Sequence, residues 1–150
     1  MVVDVYGRGP LWKKAEELIS DYALEHQVLL HGRAAHARML AHFAKADALV
    51  QTSVGFETQG MTVYESIAVG TPVFVADPKI AAELPAENVW LARTPSVDDM
   101  ARALTRAAKD IRTGNSKRAI DTGDWSVLQS EITAKMIAIY AKAIAEGPKA

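Results

Sequence analysis

The sequence contains no cysteine, and its charges are almost balanced. Without cysteine, disulfides, thiolate chemistry and cysteine-based zinc sites are excluded, which suits a reducing compartment. The 17 basic and 18 acidic side chains give a formal net charge of -1 and are spread along the chain. No basic stripe therefore indicates a nucleic-acid or lipid partner, and we expect no nucleic-acid binding.

Long apolar runs are also missing. No stretch reaches the roughly 18 apolar residues of a membrane-spanning helix. The N-terminus has no charged segment followed by an apolar signal region. We therefore expect no transmembrane segment and a cytoplasmic location, with a peripheral position at the membrane left open for a full-length enzyme.

What is present is the composition of a folded domain. Apolar residues make up 49% of the 150 residues and charged residues 23%, which is ordinary for a soluble globular protein. This length is enough for one core. No internal repeat, low-complexity tract or linker divides the chain, so residues 1–150 are predicted to form a single domain.

Short apolar runs alternate with stretches of helical periodicity. Strands joined by helices must run parallel, which predicts an α/β protein with a Rossmann-like open parallel sheet and helices on both faces. The predicted strands are Val2–Tyr6, Val28–His31, Ala46–Gln51, Thr71–Ala76 and Val89–Leu91, and the predicted helices are Leu11–His26, Ala35–Lys45, Met61–Ala68, Val97–Ile111 and a terminal helix at 126–145. The segment Lys79–Leu84 is predicted to be a short helix or a turn.

Several residues are predicted to set helix ends or to pack. Gly70 is placed to stop a helix, and Ser96 or Thr94 is placed to cap the next long one. Trp12, Trp90 and Trp125 are predicted to be packing residues and not stacking platforms. The apolar stripe of the terminal helix is predicted to lie in the core or to brace a further domain.

The most informative window follows the third predicted strand. Glu57 and Glu65 stand eight positions apart, with Gly60 between them at the start of a predicted helix. A helix N-terminus favours phosphate, and carboxylates accept hydrogen bonds from sugar or ribose hydroxyls. Ligands of open α/β sheets bind at the carboxyl ends of the strands, so Gly7, Gly32 and the Thr52–Gly60 loop are predicted to share one site.

These residues resemble the donor-binding C-terminal half of GT4-type glycosyltransferases (glycosyl transferases group 1), which have the two-domain GT-B architecture. The family block has a glutamate, a glycine three residues on, a second glutamate eight after the first, and then Gly-x-Pro-Val. The likeness runs from about residue 2 to residue 111, and Trp125–Tyr140 is similar to the family's closing helix. The matching residues are Glu57, Gly60, Glu65, Gly70, Pro72 and Val73, with Gly7-Arg8-Gly9-Pro10 and His31-Gly32 upstream.

The resemblance implies a retaining hexosyltransferase whose nucleotide-diphosphate sugar is a substrate, with no cofactor and no metal. Glu57 would contact the transferred sugar as the catalytic, chiefly positioning, residue. Glu65 would bind the ribose. The remaining donor-binding residues would be Gly60, Met61 and Thr62 toward the diphosphate, and Gly32 and Arg33 toward the base or phosphate, with a solvated Arg33 as the alternative.

The chain departs from the family pattern in places. Gln59 replaces the usual phenylalanine, and the segment Asp77–Glu83 lacks a common glycine pair. The family's preceding strand, with an arginine and a lysine for the diphosphate, has no counterpart. The chain is therefore expected to be a fragment, inactive alone, whose partner is the missing N-terminal acceptor-binding domain.

Two other classes of protein stay open as interpretations of the sequence. One is half of a GT-B-type sugar epimerase or phosphorylase, and the other is a non-catalytic flavodoxin-like binding module. For a receiver module, Asp4 is a poor substitute for clustered aspartates. The four histidines are not spaced as metal ligands on one helical face, and His31 alone is a candidate for donor contact.

Overall fold

The computed structural model describes residues 1–55, 60–116 and 129–146. Within these ranges, strands alternate with helices as predicted. The strands are β1 (Val3–Tyr6), β2 (Val28–Gly32), β3 (Leu49–Gln51), β4 (Val73–Val75) and β5 (Val89–Leu91), and the helices are α1 (Trp12–Asp21), α2 (His36–Lys45), α3 (Met61–Ala68), α4 (Pro78–Ala82), α5 (Val97–Arg112) and α6 (Gln129–Glu146), with a short 3-10 turn at Ala86–Asn88.

All of the described strand pairs are parallel, so the α/β class is confirmed. The described strands hydrogen-bond in two sets, β1-β2 and β3-β4-β5, each described within its own part of the chain. Sequence patterns identify strands, but the pairing of strands depends on tertiary packing.

The chain divides into two compact units, residues 1–42 and 43–150. In the first unit β1 pairs with β2, with Val3 opposite Val28. In the second unit Phe74 of β4 lies between Val50 of β3 and Trp90 of β5. The single domain expected for residues 1–150 stays a prediction.

Two apolar clusters lie on opposite faces of β4, because successive side chains of a strand point to opposite sides. Val73 and Val75 pack on one face and Phe74 on the other, and all three are fully buried. Helices therefore cover both faces of this sheet, as predicted. The first cluster contains Val63, Ile67, Val73, Val75, Ile80, Leu84 and Val89. The second contains Phe74, Trp90, Ala92, Ala103 and Ala107, which confirms Trp90 as a packing residue.

The ends of two helices confirm predictions from sequence. Ser96 caps α5 by accepting a hydrogen bond from the Asp99 amide at 3.2 Å. Gly70 follows α3 with φ 82°. Its amide donates to Ile67 and the next amide, of Thr71, donates to Ser66, a pairing that satisfies carbonyls at a helix C-terminus.

Helix α1 is shorter than predicted, because it ends at Asp21 and not near His26. Ala23 adopts a left-handed conformation with φ 51°. The amides of Ala23 and Leu24 donate to Ser20 and Ile19, which closes the helix in the same way as a glycine would. The apolar periodicity that continues past Asp21 therefore does not extend the helix.

Helix α6 agrees with the predicted terminal helix, of which residues 126–128 lie outside the described ranges. Its apolar stripe is exposed and not core: Ile132, Met136, Ile139, Tyr140 and Ile144 are 44% to 82% exposed. In the described parts of the chain, no helix has both the length and the apolar character needed to cross a bilayer.

Candidate functional site

Helix α3 begins at a glycine. Gly60 is buried and left-handed, with φ 61° and ψ 60°, and no described side chain caps the helix there. Its carbonyl accepts a hydrogen bond from the Val63 amide at 2.8 Å. The first amides of a helix lack a carbonyl four residues back, so those of Met61 and Thr62 mark a helix start that favours an anion.

The two faces of α3 differ in burial. Val63 and Ile67 are buried against the sheet, whereas Met61 is 61% exposed. Glu65 follows Met61 by one helical turn and therefore lies on the same face. Because helical side chains tilt toward the N-terminus, the half-buried Glu65 side chain leans toward the start of α3. It also takes part in a contact within the protein.

Buried hydroxyl groups fix the far end of α3. The Ser66 hydroxyl donates to the Thr71 carbonyl at 3.0 Å. The Thr71 hydroxyl donates to the Phe43 carbonyl at 2.6 Å. Both hydroxyls belong to fully buried residues, so leaving either unpaired would carry a desolvation cost. The position of α3 over β4 is thus set by directional bonds as well as by apolar packing.

Asp77 connects the loop after β3 with the start of α4. The residue is only 4% exposed. Its Oδ2 accepts the Gly55 amide at 2.8 Å, and its Oδ1 accepts the Lys79 amide at 2.8 Å. These two backbone hydrogen bonds, first that from Gly55, hold the pKa of Asp77 below its usual range.

A second polar contact links α3 to the end of α4. The Tyr64 hydroxyl donates to Glu83 Oε2 at 2.6 Å. Burial and then the Glu83 carboxylate raise the pKa of Tyr64 to about 12. Deprotonation would place two negative charges side by side, so Tyr64 stays a neutral donor throughout the neutral range.

Glu57, the predicted catalytic residue, lies in residues 56–59, outside the described ranges. The residues on either side of it are described. Gly55 has φ 72°, and Gly60 has φ 61°. The predicted role of Glu57 stays a prediction, and so do those of Glu65, Gly60, Met61 and Thr62, whose positions around the start of α3 are given above.

Gly32 and Arg33 lie in the first unit, at the end of β2. The Gly32 carbonyl accepts the Gly7 amide at 2.7 Å, so the ends of β1 and β2 meet. Gly32 is left-handed, with φ 73°, and Arg33 is exposed. Gly7 and Gly32 are therefore hydrogen-bonded neighbours, and the predicted site that they would share with the Thr52–Gly60 loop stays a prediction.

The first unit also holds a cluster of ring side chains that the sequence did not reveal. The Tyr6 ring stacks on His31, with centroids 4.8 Å apart, and lies 5.0 Å from His42. His31 Nε2 is 2.5 Å from Asp4 Oδ1. His31 therefore pairs with its neighbours on β1, and its predicted contact with the donor stays a prediction.

The turn after β1 is held by its own side chains. The Arg8 guanidinium lies 5.2 Å from the centre of the Trp12 ring. The Trp12 indole donates to Glu16 at 2.7 Å. These contacts give Gly7-Arg8-Gly9-Pro10 a structural role as a turn. In the described ranges, no three acidic or histidine side chains are grouped to bind a metal ion, and the metal-free mechanism stays a prediction.

The family described as Glycosyl transferases group 1 matches residues 1–122. The match covers most of the chain and includes both Gly60 and Glu65. The chain therefore belongs to the glycosyl transferases group 1 family, and this membership supports glycosyl transfer in general. No curated protein matches the chain significantly.

Among solved structures, the fold is similar to that of sucrose-phosphate synthase from Thermosynechococcus elongatus. The TM-score is 0.69 at 20% identity, over 96% of this chain and 39% of that chain. At this identity the likeness shows the fold alone, which matches a GT-B glycosyltransferase fold. The chain spans about two fifths of the length of that enzyme.

Asp77 was not identified from the sequence as the residue that connects the loop after β3 with α4. The signal was the order Asp77-Pro78 directly after an apolar strand, which is typical of a helix start with proline in the first turn. The side-chain cap of α4 by Asp77 was therefore predictable. The hydrogen bond from the Gly55 amide to Asp77 was not predictable, because it joins residues that are 22 positions apart.

Proposed function

We propose that the chain is the donor-binding, C-terminal half of a retaining GT4-type hexosyltransferase and binds a nucleotide-diphosphate sugar. This proposal rests mainly on the structure of the start of α3. A left-handed glycine with no described side-chain cap begins the helix, and Glu65 lies one turn further on. The family match over residues 1–122 supports a sugar-transferring role for this element.

The diphosphate would bind at the amides of Gly60, Met61 and Thr62. No acidic residue occupies the first turn of α3, so the helix supplies no negative charge of its own there. An incoming phosphate would therefore meet the positive end of the helix dipole without repulsion from that turn. The Glu65 carboxylate would accept the ribose hydroxyls.

Glu57 would contact hydroxyls of the transferred sugar and stabilise positive charge that develops on it, without becoming covalently attached. In the proposed retaining reaction, the donor phosphate takes the acceptor's proton. Gly32 and Arg33 would contact the base or phosphate. The acceptor would bind to another part of a longer enzyme, and the chain alone would be inactive.

The test is titration of isotope-labelled protein with UDP-glucose, GDP-mannose and inorganic pyrophosphate, followed by NMR. We expect selective shifts of the Gly60, Met61, Thr62 and Glu65 amide signals, stronger with one nucleotide sugar than with the other. Weak binding, in the millimolar range, would still be informative. Uniform or absent shifts at millimolar ligand would contradict the proposal.

The competing enzyme classes make a different prediction for the complete enzyme. An epimerase would convert a nucleotide sugar without any acceptor, and a phosphorylase would move a sugar residue from a glycan to inorganic phosphate without a nucleotide-sugar donor. Family membership favours transfer. Release of nucleoside diphosphate that depends on an added acceptor would support transfer, whereas epimerisation without an acceptor, or formation of a sugar phosphate from a glycan and inorganic phosphate, would contradict it.

A further inference from the structure

The last turn of α3 is bonded to Thr71 in both directions. The Thr71 amide donates to the Ser66 carbonyl at 2.9 Å, and the Ser66 hydroxyl donates to the Thr71 carbonyl at 3.0 Å. The left-handed Gly70, with φ 82°, turns the chain so that these two residues meet. Two opposed hydrogen bonds between one pair of residues fix their orientation as well as their distance, because hydrogen bonds are directional.

Thr71 is also bonded to a second helix. Its hydroxyl donates to the Phe43 carbonyl, in the last turn of α2, at 2.6 Å. That carbonyl also accepts the Ala46 amide at 3.1 Å, so the end of α2 has a backbone donor of its own. Ser66 and Thr71 are fully buried, and Phe43 is 6% exposed. Buried polar groups that are hydrogen-bonded in this way add rigidity and a defined direction to the core.

The apolar contacts of α3 do not fix its rotation by themselves. Its buried apolar side chains, Val63 and Ile67, are one turn apart and pack in a cluster of aliphatic side chains. Such contacts are non-directional. With side chains about 5–6 Å from the helix axis, a rotation of roughly 20° would move the end of the Glu65 side chain by about 2 Å. The hydrogen bonds of the next residue, Ser66, oppose that rotation.

We infer that Ser66 and Thr71 are positioning residues for donor binding, whose buried hydroxyls fix the rotation of α3 and thereby the direction in which Glu65 meets the ribose. This inference rests on the proposed function. Neither residue would touch the donor, since both are fully buried and lie at the opposite end of α3 from Gly60. Misplacement of a binding group by about 1 Å is enough to weaken its interaction.

Thr71→Val isolates the bond to α2. Valine is close to threonine in size, and both bonds to Ser66 survive because they use the backbone of residue 71. The Phe43 carbonyl keeps the Ala46 amide as a donor, so the variant is expected to fold. Ser66→Ala is an independent second variant, which removes a bond from α3 itself. Thr71→Ser is the conservative variant, because it retains the hydroxyl.

The matched control is Asp110→Ala, which removes an acceptor that the Trp90 indole uses at 2.9 Å. Trp90 belongs to the second apolar cluster, on the opposite face of β4 from α3. A comparable hydrogen bond is thus lost in the same unit without a change beside α3. Chemical denaturation measures the stability of each variant, so that effects on binding are compared between variants of similar stability.

The first measurement needs no donor. In amide NMR spectra, Thr71→Val and Ser66→Ala are expected to move the signals of Gly60, Met61 and Thr62, at the other end of α3. Thr71→Ser and the Asp110→Ala control are expected to leave these signals in place. The inference would be overturned if the signals stayed in place in both hydroxyl-deleting variants, or if they moved equally in the control.

The second measurement compares the affinities of the variants for UDP-glucose and GDP-mannose. We expect Thr71→Val to weaken binding of the preferred donor about tenfold, and Thr71→Ser to bind it nearly as tightly as the wild type. In a Glu65→Ala background, Thr71→Val should have little further effect, because both changes would act through one carboxylate. Equal losses in both backgrounds, or a loss shared by Asp110→Ala, would reduce the two hydroxyls to a structural role and overturn the inference.

Failure of the proposed function and failure of this inference give different results. If neither nucleotide sugar binds the wild type, the proposed function fails, while the donor-free spectra still show whether the two hydroxyls position α3. If a nucleotide sugar binds and both hydroxyl-deleting variants bind it as tightly as the wild type, the proposed function stands and the positioning role is overturned.

Discussion

Helices α3 and α5 belong to the same unit, yet their first turns are built differently. Helix α5 begins at Ser96, whose side chain caps it, and Asp98 and Asp99 occupy its first turn. Helix α3 begins at Gly60, with no described side-chain cap and no acidic residue in its first turn. At the start of α5, the protein's own side chains therefore accept the amide hydrogen bonds and supply the negative charge that the helix dipole favours. The start of α3 has neither feature and is suited to a bound anion.

A helix N-terminus by itself therefore does not indicate a ligand. Two more contacts stabilise the start of α5. The Thr94 hydroxyl donates to the Asp99 carboxylate and lies 3.0 Å from the Ser96 hydroxyl, and Arg102 pairs with Asp99 at 2.8 Å. Such a network stabilises the helix and occupies its binding groups. The proposed donor site depends on the contrasting arrangement at α3.

The largest expected effect is on donor binding. Glu65→Ala should weaken binding of the preferred nucleotide sugar by roughly 1–3 kcal/mol, the cost of leaving ribose hydroxyls unpaired. Calorimetric titration of the chain, or donor kinetics of the complete enzyme, measures it. The control is Asp98→Ala in the first turn of α5, which should leave the affinity for the nucleotide sugar unchanged. Equal affinities for wild type and Glu65→Ala would remove the ribose-binding role.

Gly60→Ala and Gly114→Ala form a matched pair. Both glycines have positive φ, 61° and 76°, so each alanine should lower the free energy of unfolding by about 1–2 kcal/mol. Only at Gly60 would the new Cβ meet a neighbour, Ile80 Cδ1 at 3.3 Å. Thermal unfolding should show both losses, and titration should show weaker donor binding for Gly60→Ala alone. Weaker donor binding in both variants would show that the loss does not come from the start of α3, and would contradict the proposed site.

Ser96→Ala should lower stability by about 1 kcal/mol, because the Asp99 amide loses its side-chain acceptor. Donor affinity should stay at the wild-type value. Chemical denaturation measures the first effect and NMR titration the second. A drop in affinity would show that the two helix starts are coupled and would weaken the contrast between them.

The smallest expected effect is a difference in pH dependence. Hydrogen bonds from Thr94 and then from Arg102 lower the pKa of Asp99 in the folded protein. Its stabilising contribution is therefore present above its unfolded pKa and is lost as pH falls through the lower folded value. Unfolding curves below about pH 4 should lose part of this acid dependence in Asp99→Asn. An unchanged pH profile would contradict the assignment.

Much of this unit could be predicted from sequence. The start of α3 at Met61, the glycine that ends it and the cap at Ser96 were all expected and observed. Each depends on residues within about five positions of one another, where backbone preference and hydrogen-bonding reach are local. The strands and the α/β class followed from apolar runs and helical periodicity in the same way.

Three features could not be predicted in this way. The end of α1 at Asp21 depends on an alanine in a left-handed conformation, which its residue type does not signal. The choice of partner strands, β1 with β2 and β4 between β3 and β5, depends on which strands meet. The exposure of the α6 stripe depends on what lies opposite it. These last two features are decided by packing between parts of the chain that are distant in sequence.

The class of fold, the family resemblance and the glycine that starts α3 could all be inferred from the amino-acid sequence, because they depend on local backbone preference and on residue order. Only the tertiary structure placed Asp77 against Gly55, and Ile80 beside Gly60. Hydrogen bonding and packing act at distances of a few ångströms whatever the separation in sequence. The folding of the chain therefore decides which residues become neighbours in this unit.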